Sequence, residues 1–225
     1  MTEAAYRAAE FGIDLDSVTT IVIIEGVLIN ETPLRVGKPG GGLGEAYDLP
    51  IERLPSGTPY IPGSSLKGVV RSLAEKITAA SKGFVCNVFC DLSECELAAL
   101  AIRKLIEKGS EAIDDIDQRV KRAYSGSLPP LISEALKVLK EDRNPPFERT
   151  FNFFKDNGLP CSVCRLFGNK ELASHVIIYD AMPKDGREPP VGFRTRVAID
   201  RFRKAARSGA LFTYEYIEPG FEWSF

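Results

Sequence analysis

Two hydrophobic rhythms run along this chain. Thr19 to Ile29 (T-T-I-V-I-I-E-G-V-L-I) is a β-branched, apolar run that predicts a strand. Val69, Val70, Leu73 and Ile77 recur at helical spacing within Ser64 to Ala80, which predicts a helix with a core face. Leu92 to Lys108 and Ala112 to Tyr124 continue as helices of mixed charge. A further helix near Leu131 to Lys140 is bracketed by Pro129-Pro130 and Pro145-Pro146. Seven acidic and six basic residues between Glu94 and Arg122 predict a solvated face. Extended segments then return: Val176 to Asp180, Arg194 to Ile199, and a hairpin of Leu211 to Ile217 with Glu222 to Phe225. Strands followed by single helices, without a serial β-α-β rhythm, indicate an α+β chain. The middle third reads as an insertion, at about 81–160, on a smaller core at about 15–80 and 165–225.

The stretch before the first helix is irregular. Glu31 to Glu45 holds Gly37, Gly40, Gly41, Gly42 and Gly44, and reads as a long flexible loop. The glycine spacing fits neither a Walker loop nor a dinucleotide fingerprint. Ile51 to Tyr60 reads as an edge strand or turn around Pro55-Ser56-Gly57. The run Tyr60-Ile61-Pro62-Gly63-Ser64-Ser65-Leu66-Lys67-Gly68 follows. Its Pro-Gly turn ends an extended segment, and two serines stand where the helix begins. Serine is a favoured N-cap. Free helical amides, the helix dipole and the cations Lys67 and Arg71 together form an anion seat. A phosphate-bearing partner is one reading of the run and a purely structural cap is the other.

Composition narrows the classes. A chain of 225 residues can bury a full core. No stretch approaches the length of a membrane span. Met1 to Phe11 is helix-like and has no basic region ahead of an apolar run, so a cytoplasmic protein is expected. A net charge of -2 gives no whole-chain basic signature. The stretch Lys184 to Arg207 departs from it, with eight cations against three acids, a local net of +5. Arg194 and Arg196 would share one strand face, Arg201 follows, and Phe193 and Phe202 could stack on bases. The plainer reading is a solvated face with core aromatics.

His175 is the one histidine, set before an apolar stretch, where a packed or surface residue is expected. Acid–base chemistry by a histidine pair is thereby excluded. Asp48, at the end of the glycine-rich loop and before Pro50, is the better chemical candidate. A short carboxylate there could bind hydrated Mg²⁺ or orient a 2'-hydroxyl. An aspartate before a proline turn also commonly satisfies turn amides. Glu45 is adjacent and could assist or be solvated.

Five cysteines are many for a chain kept reduced. Cys161 and Cys164 form a C-x-x-C, and Cys86, Cys90 and Cys95 cluster about seventy residues earlier. Four of the five could hold a structural Zn²⁺, since thiolates four to a site close a tetrahedral centre. Buried free cysteines are the alternative. A thioredoxin-like role needs a C-x-x-C that opens a helix after a strand, which the following Leu166-Phe167-Gly168 does not suggest.

The run I-P-G-S-S-L-K-G at Ile61 to Gly68, followed by an amphipathic helix, resembles the signature of the RAMP superfamily of CRISPR-associated proteins. Further matching stretches are Gly44 to Pro50, Cys164 to Gly168, and Arg196 to Phe212. Their order is most similar to that of the backbone subunit of type III (Csm/Cmr-type) effector complexes.

This resemblance implies a single RAMP domain over 1–225, with a ferredoxin-like core, an incomplete second copy, and a β-hairpin thumb near Lys184 to Gly209. It implies guide-RNA binding through Ser64, Ser65, Lys67, Arg71, Arg194, Arg196 and Arg201. It places the nuclease aspartate at Asp48, which would cut paired target RNA with Mg²⁺. Partners would be guide and target RNA, other effector subunits, and copies of the chain in a head-to-tail filament. A non-catalytic scaffold subunit and a stand-alone RNA-processing endonuclease are the rival functions.

Overall fold

A computed structural model describes residues 20–37, 49–87, 90–141 and 148–225. The described elements are α+β: six α-helices, two short 3₁₀ turns and two small antiparallel sheets. The chain divides into two compact units, one containing Val70–Ile177, the other Val22–Val69 with Ile178–Phe225.

The helical unit contains most of α1 (Gly63–Ala80), then α2 (Glu94–Lys108), α3 (Ala112–Ala123), α4 (Pro130–Glu141), α5 (Glu148–Asp156) and α6 (Ser162–Phe167). Helix α2 starts at a capping box. The Ser93 hydroxyl accepts from the Glu96 N–H at 3.2 Å, and the Glu96 carboxylate accepts from the Ser93 N–H at 2.8 Å. Such a cap stabilises a helix by about 1 kcal/mol. Cys95 to Ile102 are buried without interruption, so this half of α2 is central. The solvated face expected over Glu94 to Arg122 is therefore confined to the later part. Even there Asp117 is largely buried, clasped by Lys121 at 2.6 Å and Lys140 at 2.7 Å. The core joins Leu97, Ile102 and Leu105 of α2 to Ile116, Val120, Ile132, Leu139, Phe151 and Phe154 of the other helices. Glu148–Asp156 and Ser162–Phe167 are helices that the residue pattern did not announce.

The sheet unit has a three-stranded sheet, β1 (Val27–Ile29), β5 (Glu222–Ser224) and β2 (Met182–Pro183), with β5 in the middle. Trp223 faces Leu28 on one side and Pro183 on the other. Its ring meets Phe221 edge-on at 5.0 Å, over a small core with Ile51, Ile61, Ala181 and Ile217. The indole N–H donates to the Asn30 side-chain oxygen at 3.2 Å. The second sheet is a long hairpin, β3 (Val191–Asp200) with β4 (Ala205–Ile217).

Three expectations are corrected here. Of the apolar run Thr19 to Ile29, only Val27–Ile29 pairs as a strand, and Ile21 to Ile24 are each at least three-quarters exposed. Val176 to Asp180 forms no strand; β2 lies just beyond it. Leu211 to Ile217 pairs with Val191 to Val197 and not with Glu222 to Phe225. Strand propensity marked these segments, but partners are chosen by the whole fold.

Candidate nucleic-acid interface and cysteine centre

The hairpin carries much of the basic stretch. Alternation puts Arg194 and Arg196 on one face of β3, opposite Tyr214 and Phe212 on β4. The Arg194 guanidinium lies 5.2 Å from the Tyr216 ring centroid, and that of Arg196 lies 5.4 Å from Tyr214. Tyr214 in turn neighbours Phe212 at 6.4 Å and Tyr216 at 6.2 Å. The result is a diagonal ladder of rings and guanidinium groups. Each stacked cation is steadied by roughly 0.5–1 kcal/mol and keeps its N–H donors free to turn toward solvent. On the opposite face the Thr195 and Thr213 hydroxyls meet at 2.9 Å.

The hairpin's turn is tied by Asp200, whose carboxylate accepts from the Phe202 and Arg203 N–H groups at 2.9 and 3.1 Å. Arg201 and Phe202 stand exposed there, Phe202 at 97%. Two cations of the basic stretch are used internally: Lys184 and Arg187 both pair with Glu222, at 2.8 and 3.1 Å. The charge free for a partner is thus concentrated beyond Val191.

The start of α1 differs from its sequence reading. The helix begins at Gly63, with Ser64 and Ser65 inside its first turn, so neither serine precedes the helix as a cap. The Asp180 carboxylate accepts from the Gly63 N–H at 2.7 Å. The Ser65 and Leu66 N–H groups donate to the Pro62 carbonyl. A carboxylate therefore already occupies the positive end of the helix. A Cβ on Gly63 would lie 2.1 Å from the Ile178 carbonyl oxygen, so the close approach that brings Asp180 to the helix requires glycine. Lys67 follows on the same turn, half-buried.

Arg71 turns the other way. Its Nε donates to Glu75 at 3.0 Å, Nη1 to the Gly168 carbonyl at 2.7 Å, and Nη2 lies 3.6 Å from the Cys164 sulfur. Of the proposed RNA contacts, the structure gathers Arg194 and Arg196 on one face and Arg201 at the turn they lead to. Ser64, Ser65 and Lys67 lie on the first turn of α1, and Arg71 lies within the helical unit.

Asp48 and Glu45 lie outside the described residues. Leu49, the next residue after Asp48, is described: its N–H donates to the Thr213 carbonyl at 3.3 Å and its carbonyl accepts from the Glu215 N–H at 3.2 Å. Buried Glu215 then accepts from the Ile51 N–H at 3.0 Å and pairs with Arg53 at 3.4 Å. The strip leaving the glycine-rich loop is thereby fastened to β4. His175 donates through Nδ1–H to the Arg165 carbonyl, 2.7 Å away, and is exposed, as a surface residue.

The sulfur atoms of Cys86, Cys95, Cys161 and Cys164 all lie within 4.8 Å of one another, and all four residues are buried. Cys86 and Cys164 are 3.3 Å apart and unbridged. Cys161 is the N-cap of α6 and Cys164 lies in its first turn, so the C-x-x-C does open a helix, but one preceded by α5 and not by a strand. Cys90 is not part of the group; it donates to the Asn87 carbonyl at 2.9 Å. Hydrogen bonds from Cys164, then Cys86 and Cys95, hold Cys161 well below its ordinary thiol value. The hydrogen bond to Cys161, with Cys164, Cys86 and burial adding, pushes Cys95 up.

The PGSSLKG turn, the following helix and the hairpin all fall within residues 28–225, and that span matches the family model described as the RAMP superfamily. The chain belongs to the RAMP superfamily. No curated protein matches it. A cryo-EM structure of the type III-B Cmr-beta bound to cognate target RNA is similar at 14% identity, covering 89% of this chain and 81% of that one, with a TM-score of 0.39. The apo state of the type III-B Cmr-beta gives 15% identity, the same coverage and a TM-score of 0.37.

Sequence reading missed Tyr214, Tyr216, Asp180 and Glu215. The tyrosines had a signal: their spacing of two on a strand puts them on one face. Asp180 and Glu215 act across the fold, 117 and 164 residues from Gly63 and Ile51, where local spacing carries nothing.

Proposed function

We propose that this RAMP protein is a guide-RNA-binding backbone subunit of a type III CRISPR interference complex, with metal-dependent endoribonuclease activity on paired target RNA. The observation that carries the reading is the exposed Arg194–Arg196 ladder over Tyr214 and Tyr216. Cations supply sequence-independent attraction to phosphate, and rings of any kind stack on bases. Arg201 and Phe202 extend that surface to the turn, and Ser64, Ser65 and Lys67 add a second set of contacts from α1. The core would be ferredoxin-like with an incomplete second copy. Copies would assemble head to tail along the RNA in the cytoplasm, a heterologous contact that does not close. Other effector subunits would complete the particle.

Asp48 is the proposed catalytic carboxylate. Mg²⁺ held there would assist loss of the 2'-hydroxyl proton or steady the leaving oxygen. The protein's own part would be to splay the RNA so that this hydroxyl lies in line with its phosphate. The fastening of Leu49 to β4 favours this reading, because RNA on the hairpin would pass the loop's end.

Binding is tested by fluorescence anisotropy with single-stranded RNA across a salt series. Arg194→Ala with Arg196→Ala should weaken all sequences alike and lower the salt slope by about 2. An unchanged affinity and slope would remove the hairpin from the interface. Cleavage is tested in assembled complexes on matched target RNA with Mg²⁺. Asp48→Asn should abolish cutting, leave guide binding intact, and the wild-type product should end in a 2',3'-cyclic phosphate. Equal rates would make the chain a non-catalytic scaffold.

A further inference from the structure

We propose that Cys86, Cys95, Cys161 and Cys164 hold one Zn²⁺ as a closed structural centre, and that Arg71 is its positioning outer partner rather than an RNA contact. The sequence left open which four of five cysteines could serve. The structure separates them: four sulfurs converge and are buried, while Cys90 bonds elsewhere and is half-exposed. Four thiolates at about 2.3 Å from one zinc sit roughly 3.8 Å from each other. Sulfurs already within 4.8 Å reach that arrangement by small side-chain rotations.

The donors around the sulfurs fit thiolates. The Cys161 N–H points at the Cys95 sulfur at 3.1 Å, and the Cys164 N–H at the Cys161 sulfur at 3.5 Å. A thiol donates weakly and accepts weakly; a metal-bound thiolate accepts well. A tetrathiolate zinc carries two negative charges, and burying them is costly without nearby positive charge. Arg71 supplies it, with Nη2 3.6 Å from the Cys164 sulfur. Its Nη1 bond to the Gly168 carbonyl joins the same guanidinium to the end of α6. Gly168 has a φ of +75° and room for no Cβ beside Leu172 and Ser174, so this corner is fixed as well. The centre links α1, the segment after it, the start of α2, and α6. Binding the ion would therefore be part of folding the helical unit.

Metal analysis of protein purified without chelator should give one zinc per chain. Less than about a tenth of an equivalent would overturn the centre. A mass for the unreduced chain that corresponds to a Cys86–Cys164 disulfide would also overturn it. Cys164→Ser should lose the metal and Cys90→Ser should keep it; the reverse pattern would refute the assignment. Should Cys164→Ser fail to fold, cobalt substitution of the full chain decides. Tetrahedral d–d bands with sulfur-to-cobalt charge transfer are expected, and octahedral spectra would contradict the site. Arg71→Gln should lower zinc affinity roughly 10–100-fold in chelator competition and shift the charge-transfer band, with Arg71→Lys recovering part of the loss. Unchanged affinity and spectrum in Arg71→Gln would deny Arg71 its role. This inference stands apart from RNA binding, which none of these readouts measures.

Discussion

In the helical unit, α2 to α6 bury most of their apolar side chains, whereas the sheet unit displays much of its chemistry. Among the described residues the helical core cluster contains 24 buried hydrophobic residues and that of the sheet unit 6. In the helices, even polar groups are turned inward to partners, as with Asp117 between two lysines. On the hairpin, Arg194 and Arg196 lie at the surface, stacked on the half-buried rings of Tyr216 and Tyr214. The difference separates two tasks. Burial of that extent makes the helical unit the main source of stability. A strand pair with Phe202, Arg194 and Arg196 outward gains little from burial and is suited to a partner that brings its own rings and phosphates.

The largest effect that could break this division is a core deletion. Phe154→Ala in α5 removes a ring that is 1% exposed and should cost about 3–5 kcal/mol, read as a lower denaturation midpoint. RNA affinity measured while the variant is still folded should not change. A parallel loss of affinity would show that the helical unit is part of the interface. Next in size is Phe202→Ala, which touches nothing in the core and should leave the denaturation midpoint unchanged. RNA affinity should fall by about 1–3 kcal/mol if the ring stacks on a base. Unaltered binding would confine the interface to the charge ladder. The smallest effect sharpens the role of α1. Asp180→Asn keeps an acceptor for the Gly63 N–H and removes a negative charge from the helix end. A gain in RNA affinity of about 0.3–1 kcal/mol is expected if phosphate approaches this turn. No gain would take the serine turn out of the binding surface.

Much of this was legible in the sequence where the signal is local. The helix drawn from Ser64 to Ala80 is one residue longer, and those at Leu92 to Lys108, Ala112 to Tyr124 and Leu131 to Lys140 agree to within two residues. The spacing of Arg194 and Arg196 announced a shared face. Pairing was not legible. Leu211 to Ile217 reads from the sequence as the partner of Glu222 to Phe225, and only the assembled fold selects β3. Periodicity located the apolar stripe of α1, but the core face expected there is not buried in the structure. Val69, Val70, Leu73 and Ile77 are between 46% and 69% exposed. Cysteine count suggested a metal, while the choice against Cys90 and the turning of Arg71 toward Cys164 needed coordinates. The proposed chemistry of Asp48 rests on its sequence position and on Leu49 beside it.

Photo-crosslinking of bound RNA, followed by mass spectrometry of the digested protein, tests the central division most directly. Adducts are expected on peptides from Val191–Ile217, foremost at Phe202, Tyr214 and Tyr216. Adducts concentrated on α2 to α5, with the hairpin unmarked, would contradict the account.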